Sequence, residues 1–106
     1  MFFELRQYRL RPGQRDKCVR FMDEVVIPFQ ASKGMVVIGS FVGQEDEDLY
    51  VWIRRFESEE QCKQQYEAVY ESDHWKSVIA PELPALIDRD TISVARLQPT
   101  STSLMK

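Results

Sequence analysis

The chain has 106 residues, 43% hydrophobic and 29% charged, with a formal net charge of -3 and a pI near 5.2. That length bounds one domain around a single core, and the composition excludes a disordered chain. The acidic balance, with no run of Lys and Arg, excludes an electrostatic footprint for nucleic acid. No stretch approaches the ~18 apolar residues of a membrane span, and the opening MFFELRQYRLRPG is too charged for a secretory leader. The expectation is a cytoplasmic protein with no membrane partner.

Residues 2 to 10, FFELRQYRL, read as a strand that stops at the Arg11-Pro12-Gly13 turn signal. From Gln14 to about Ser32, Cys18, Phe21, Met22, Val25 and Phe29 recur at helical spacing. Pro28 falls inside this helix, so a kink or early end is expected near Ile27, with Gly34 as the stop. Residues 35 to 43 form a second strand and 44 to 48 an acidic hairpin loop. LYVWIRRF, residues 49 to 56, is a third strand. Ser58 caps a helix with acids in its first turn, and Cys62, Tyr66, Val69 and Tyr70 share one face of it. Asp73-His74-Trp75 opens a short helix broken by Pro81 and Pro84, and TISVARL, residues 91 to 97, is a last strand. One domain over residues 1 to 98 and a frayed tail over 99 to 106 complete the chain.

The order βαββαβ predicts an α+β, ferredoxin-like fold, and a right-handed crossover gives an antiparallel sheet of order 4-1-3-2. The central first and third strands each have two contrasting faces. Phe3, Leu5, Val51 and Ile53 form an aliphatic face, assigned to the side beneath the helices. Glu4, Arg6, Tyr8, Tyr50, Trp52 and Arg54 form the other. Left open, that second face would expose a large patch with Phe56, so a second copy is expected to cover it, sheet against sheet, and enclose a cavity.

ELRQYRLRPGQ, LYVWIRRFES, and HWKSV followed by PELPALI resemble the NIPSNAP family, whose members begin with a similar E-L-R-x-Y-x-L-x-P-G motif. The resemblance spans roughly residues 3 to 97. It implies a homodimeric α/β-barrel in a superfamily that includes antibiotic-biosynthesis monooxygenases, without implying one activity.

The preferred reading is a pocket between sheet and helices that binds a small aromatic or acidic molecule. Arg6 and Arg54 would hold its negative end, and Tyr8, Tyr50 and Trp52 its planar body. The competing reading has Glu4, or an acid of the second subunit, neutralise the arginines while the aromatics only pack an interface. His74, the one imidazole, is the candidate general acid or base for a cofactor-independent monooxygenase or isomerase, provided that it reaches the pocket. A purely interacting, non-enzymatic protein is the third reading. Cys18 and Cys62 read as buried free thiols. With two cysteines and one histidine there is little material for a zinc or iron site, and neither a metal nor a cofactor is expected.

Overall fold

The computed structural model describes residues 1–106. Its elements are β1 (Phe2–Leu10), α1 (Arg15–Phe21), a π-helical turn (Met22–Val26), α2 (Ile27–Ser32), β2 (Val36–Val42), β3 (Leu49–Phe56) and α3 (Glu59–Tyr70). A second π-helical segment (Trp75–Ile79), a 3-10 segment (Ala80–Ala85) and β4 (Ile87–Leu97) follow. All ladders are antiparallel, and the order β2-β3-β1-β4 is the predicted ferredoxin-like topology with β1 and β3 at the centre.

The two faces of the sheet are exchanged relative to expectation. Tyr8, Tyr50, Trp52, Arg54 and Phe56 lie beneath the helices and are buried there with Glu4. Leu5, Val51 and Ile53 lie on the opposite face and remain partly exposed. The hydrogen bonds fix the assignment, because Arg54 reaches Gln30 of α2 and both Tyr66 and Tyr70 of α3. A face that looked too polar for a core is a core whose polar groups find partners on the helices. The aromatics of β3 are therefore covered by their own chain and need no second copy.

Pro28 does not end its helix. α1, the π turn and α2 run on through junction residues in the right-handed helical region. Ile27 donates to the Met22 carbonyl five residues back, and Pro28, lacking an N–H, follows where the ladder is already expanded. The same turn explains which residues are buried. Cys18, Met22, Val26 and Gln30 recur every four residues, and a strict 3.6-residue helix would rotate that row away from the sheet. The extra residue in the turn restores the alignment, so Val26 and Gln30 take the inward positions expected for Val25 and Phe29.

β4 begins at Ile87, four residues earlier than the alternation suggested. Its register with β1 passes from Gln7↔Ser93 to Arg9↔Asp88, so residues 89–92 bulge opposite the single residue Tyr8. Asp88, Arg89 and Asp90 break the strand pattern here, while Asp88 accepts from the Asp90 N–H and the Thr91 hydroxyl. In the tail, Pro99, Thr100, Ser103 and Met105 line a shallow groove with Phe3 and Ile53 on the open sheet face.

Gly34 ends α2 with φ +93°, and a Cβ there would lie 3.2 Å from the Gln65 amide nitrogen that bonds the Gly34 carbonyl. Gly34→Ala is expected to lose about 1–2 kcal/mol in chemical denaturation, from left-handed strain plus this crowding.

Candidate functional site

The polar centre of the helix-covered face is a saturated guanidinium. Arg54 is fully buried and Glu4 almost so; they are cross-strand partners on β3 and β1. Arg54 Nε and Nη2 donate to Glu4 Oε1 at 3.1 and 2.5 Å. Nη2 also donates to the Tyr66 hydroxyl at 2.9 Å, and Nη1 to Gln30 Oε1 and the Tyr70 hydroxyl at 2.9 and 2.8 Å. All five N–H groups thus have oxygen acceptors. The Trp52, Phe56 and Tyr66 rings enclose the cation at 4.8, 5.6 and 5.1 Å from their centroids, adding cation–π attraction in a dry setting.

Tyr66 donates its proton to Glu4 Oε2. Burial alone would raise the Glu4 pKa, but the Arg54 charge and the hydrogen bonds from Tyr66 and Arg54 outweigh it and hold the carboxyl below its ordinary value. Burial, reinforced by the neighbouring carboxylate, pushes the Tyr66 phenol upward against the opposing Arg54 charge. Tyr50 is pushed up to about 12 by burial despite its bond with Ser40. Cys18 is pushed to about 11 by burial, as expected of an inert core thiol.

Arg6 is served less completely. Its Nε donates to the Tyr8 hydroxyl at 2.9 Å, and its Nη1 stands 3.5 Å from the same Glu4 oxygen that Arg54 holds more closely. The group Glu4, Arg6 and Arg54 carries one carboxylate against two guanidiniums. Beside it lies a cavity of about 180 Å³ between the sheet and the helical layer. Arg6, Tyr8, Trp52, Arg89 and Ile92 line it from the strands, Met22 and Val26 from the first π turn, and Tyr70, Trp75 and Leu83 from the later helices. The lining contains two guanidiniums and no carboxylate. Trp52 is 2% exposed, and its indole N–H has no partner in the protein. Both π-helical segments contribute walls, a placement common at binding sites.

The structure therefore brings Arg6, Tyr8 and Trp52 to the cavity and leaves Arg54 and Tyr50 out of it. Arg54 is consumed by Glu4, the competing reading of the arginine pair. His74 is exposed and packs at a tilt against Phe29 with ring centroids 4.8 Å apart; it does not line the cavity and is not positioned to exchange a proton with an occupant. In the acidic loop, Asp46 pairs with Arg9, and no three His, Cys, Asp or Glu side chains gather as a metal site would require. Sequence reasoning missed Gln30, whose signal is an amide four residues beyond Val26 on the inward row. It also missed Arg89, which looks like an ordinary loop cation until the bulge is seen.

A family model described as NIPSNAP matches residues 3–103. Among solved structures, the chain resembles a NIPSNAP family protein from Agrobacterium tumefaciens str. C58 at 24% identity and TM-score 0.87, covering 99% of this chain and 98% of that one. An uncharacterized NIPSNAP domain protein from Burkholderia xenovorans is similar at 13% identity and TM-score 0.85, over 97% and 98% of the two chains. An antibiotic biosynthesis monooxygenase shares the fold at 17% identity and TM-score 0.66, over 94% of this chain and 99% of that one. No curated protein matches. No helix is long and apolar enough to cross a membrane.

Removing one partner of a buried, hydrogen-bonded ion pair is expected to cost roughly 3–5 kcal/mol, so Glu4→Gln and Arg54→Met should each be strongly destabilised in urea melts. The double variant should recover part of that loss, since neither charge is then left alone. Because folding depresses the Glu4 pKa, its stabilisation is complete above the ordinary value of 4.5 and fades as pH falls through the lower folded value. Unfolding free energies measured across that acid range should be less pH-dependent in Glu4→Gln than in the wild type.

Proposed function

The chain belongs to the NIPSNAP family, and we propose that it acts as a homodimeric binder of a small, planar organic anion held between the sheet and the helices. The observation that carries this reading is the charge of the cavity wall: two guanidiniums, no carboxylate, and an indole N–H without a partner. Arg6, partly buried and only distantly served by Glu4, gains most from an anion that offsets its charge. Arg6 supplies the charged contact, Trp52 a neutral donor, and the rings of Tyr8, Trp52 and Trp75 the apolar faces for a flat molecule. The volume of about 180 Å³ is below the roughly 300–1,000 Å³ of sites for drug-sized ligands, which favours an occupant of about one ring.

The dimer part of the proposal rests on the open sheet face. Leu5 and Ile53 are paired there, Phe41 stands beside Val51, and Leu97 beside Phe3. Phe41 and Leu97 are 54% and 42% exposed, so an apolar surface runs across all four strands. Its one cation on β3, Arg55, is paired with Glu57 of its own chain. A flat apolar surface with few unpaired charges suits an isologous contact with a second copy.

Both tryptophans of the chain line the cavity, so intrinsic fluorescence reports its occupancy. Benzoate is expected to give a saturable change that uncharged benzamide does not, and Arg6→Gln should weaken benzoate binding at least about tenfold. Absence of saturable binding for benzoate and for other one-ring carboxylates, by both fluorescence and calorimetry, would rule the reading out. Light scattering should return twice the chain mass for the wild type. Ile53→Glu, which puts a charge into the open face without touching the helix-covered core, should return a folded monomer.

A further inference from the structure

We infer that the cavity selects molecules with an anionic group at each end, a compact planar dicarboxylate or its close equivalent, with Arg6 holding the inner group and Arg89 the outer one. This rests on the anion-binding reading above and goes beyond it by assigning a second charge to the occupant. Arg6 sits deep on β1, where its side chain is 18% exposed and braced by Tyr8 and Glu4. Its Nη2 group makes no bond to the protein and remains available to an occupant.

Arg89 comes from another wall. It lies in the bulge of β4 opposite Tyr8, lines the same cavity and is exposed, which places it towards the mouth. The structure gives it neither an ion pair nor a side-chain hydrogen bond, although Asp88 and Asp90 flank it in sequence. Asp88 is turned instead to the backbone of Asp90. Bulges of this kind interrupt pairing in order to re-aim side chains, and this one brings a cation without a partner towards an acid-free cavity.

Tyr8 stands between the two arginines. It shares the helix-covered face of β1 with Arg6, two residues away, and faces residues 89–92 across the ladder. A flat body over Tyr8 therefore presents its ends to guanidiniums on different strands. An occupant that fills the mouth strips water from Arg89, an effect that a monoanion leaves unoffset and a second acidic group compensates. The arrangement discriminates by charge number as well as by shape.

Calorimetric titration of the wild type and Arg89→Gln with benzoate, isophthalate and terephthalate tests this. Arg89 is exposed and makes no contact on which folding depends, so the variant is expected to fold normally by circular dichroism. At least one of the two dicarboxylates should bind the wild type about tenfold or more tightly than benzoate, as a second charge-assisted contact implies. Arg89→Gln should erase that advantage, so that neither dicarboxylate binds the variant more tightly than benzoate binds it. If benzoate binds but neither dicarboxylate gains, or if the gain survives in Arg89→Gln, the two-ended assignment is overturned and the anion site stands. If none of the three binds, both readings fall.

Discussion

Arg54 has five N–H groups and no exposure to water, so each must find an acceptor inside the fold or folding fails at that point. The acceptors come from every layer: Glu4 on the neighbouring strand, Gln30 at the end of the first helical rod, and Tyr66 and Tyr70 on α3. A guanidinium is rigid and planar, so these partners are held in one plane and the helices in one position above β3. Much of the architecture can be read as a means of delivering these oxygens. The π turn keeps Gln30 on the inward row, and the Ser58 cap starts α3 so that Tyr66 and Tyr70, one turn apart, both face the cation.

The same saturation creates the imbalance next door. Glu4 Oε1 lies 2.5 Å from Arg54 and 3.5 Å from Arg6, while Glu4 Oε2 is occupied by Tyr66. The carboxylate that might have neutralised both arginines is committed to one. Tyr8 provides Arg6 with a hydrogen bond but no full negative charge. The surplus positive charge of the cavity is thus a consequence of how the core is assembled, and the cavity opens where the helical layer departs from regular geometry, along the two π-helical segments and the Pro-bounded 3-10 segment.

How much of this could be read from the sequence depended on whether the signal was local. β1 and β3 were legible to the residue because alternation and turn chemistry are properties of short windows, and strand order followed from element order and crossover handedness. Which face the helices cover was not legible from composition. Aliphatic Leu5, Val51 and Ile53 look more like a core than Glu4, Arg6 and Arg54 do, and the rule that cores are apolar fails where polar groups are fully paired. The partners Gln30, Tyr66 and Tyr70 lie 24, 12 and 16 residues from Arg54; the row of α3 that holds the two tyrosines was legible, but that of Gln30 could not be phased without the π turn. Arg6, Tyr8 and Trp52, singled out on the legible strands, reach the cavity because they share its face of the sheet. Arg89 was not singled out, since a bulge is a pairing property of two strands, and the polar Asp88-Arg89-Asp90 run taken alone reads as a loop.

The inversion of the faces also changes what a second copy would do. Had the aromatic face been the shared surface, each subunit would have built the site only in the dimer, and the cavity would have been common property. With Trp52 and Arg6 beneath one chain's own helices and Arg89 at the mouth, the cavity is lined by a single subunit. The open aliphatic face takes no part in lining that cavity. Coupling between two such sites would have to pass through the sheet itself, along β1, where Leu5 and Gln7 face outward between Glu4, Arg6 and Tyr8 facing in. Alternation along this strand places the open surface and the charged wall of the cavity one residue apart, so a shift of β1 that accommodates an occupant on one side necessarily displaces side chains on the other.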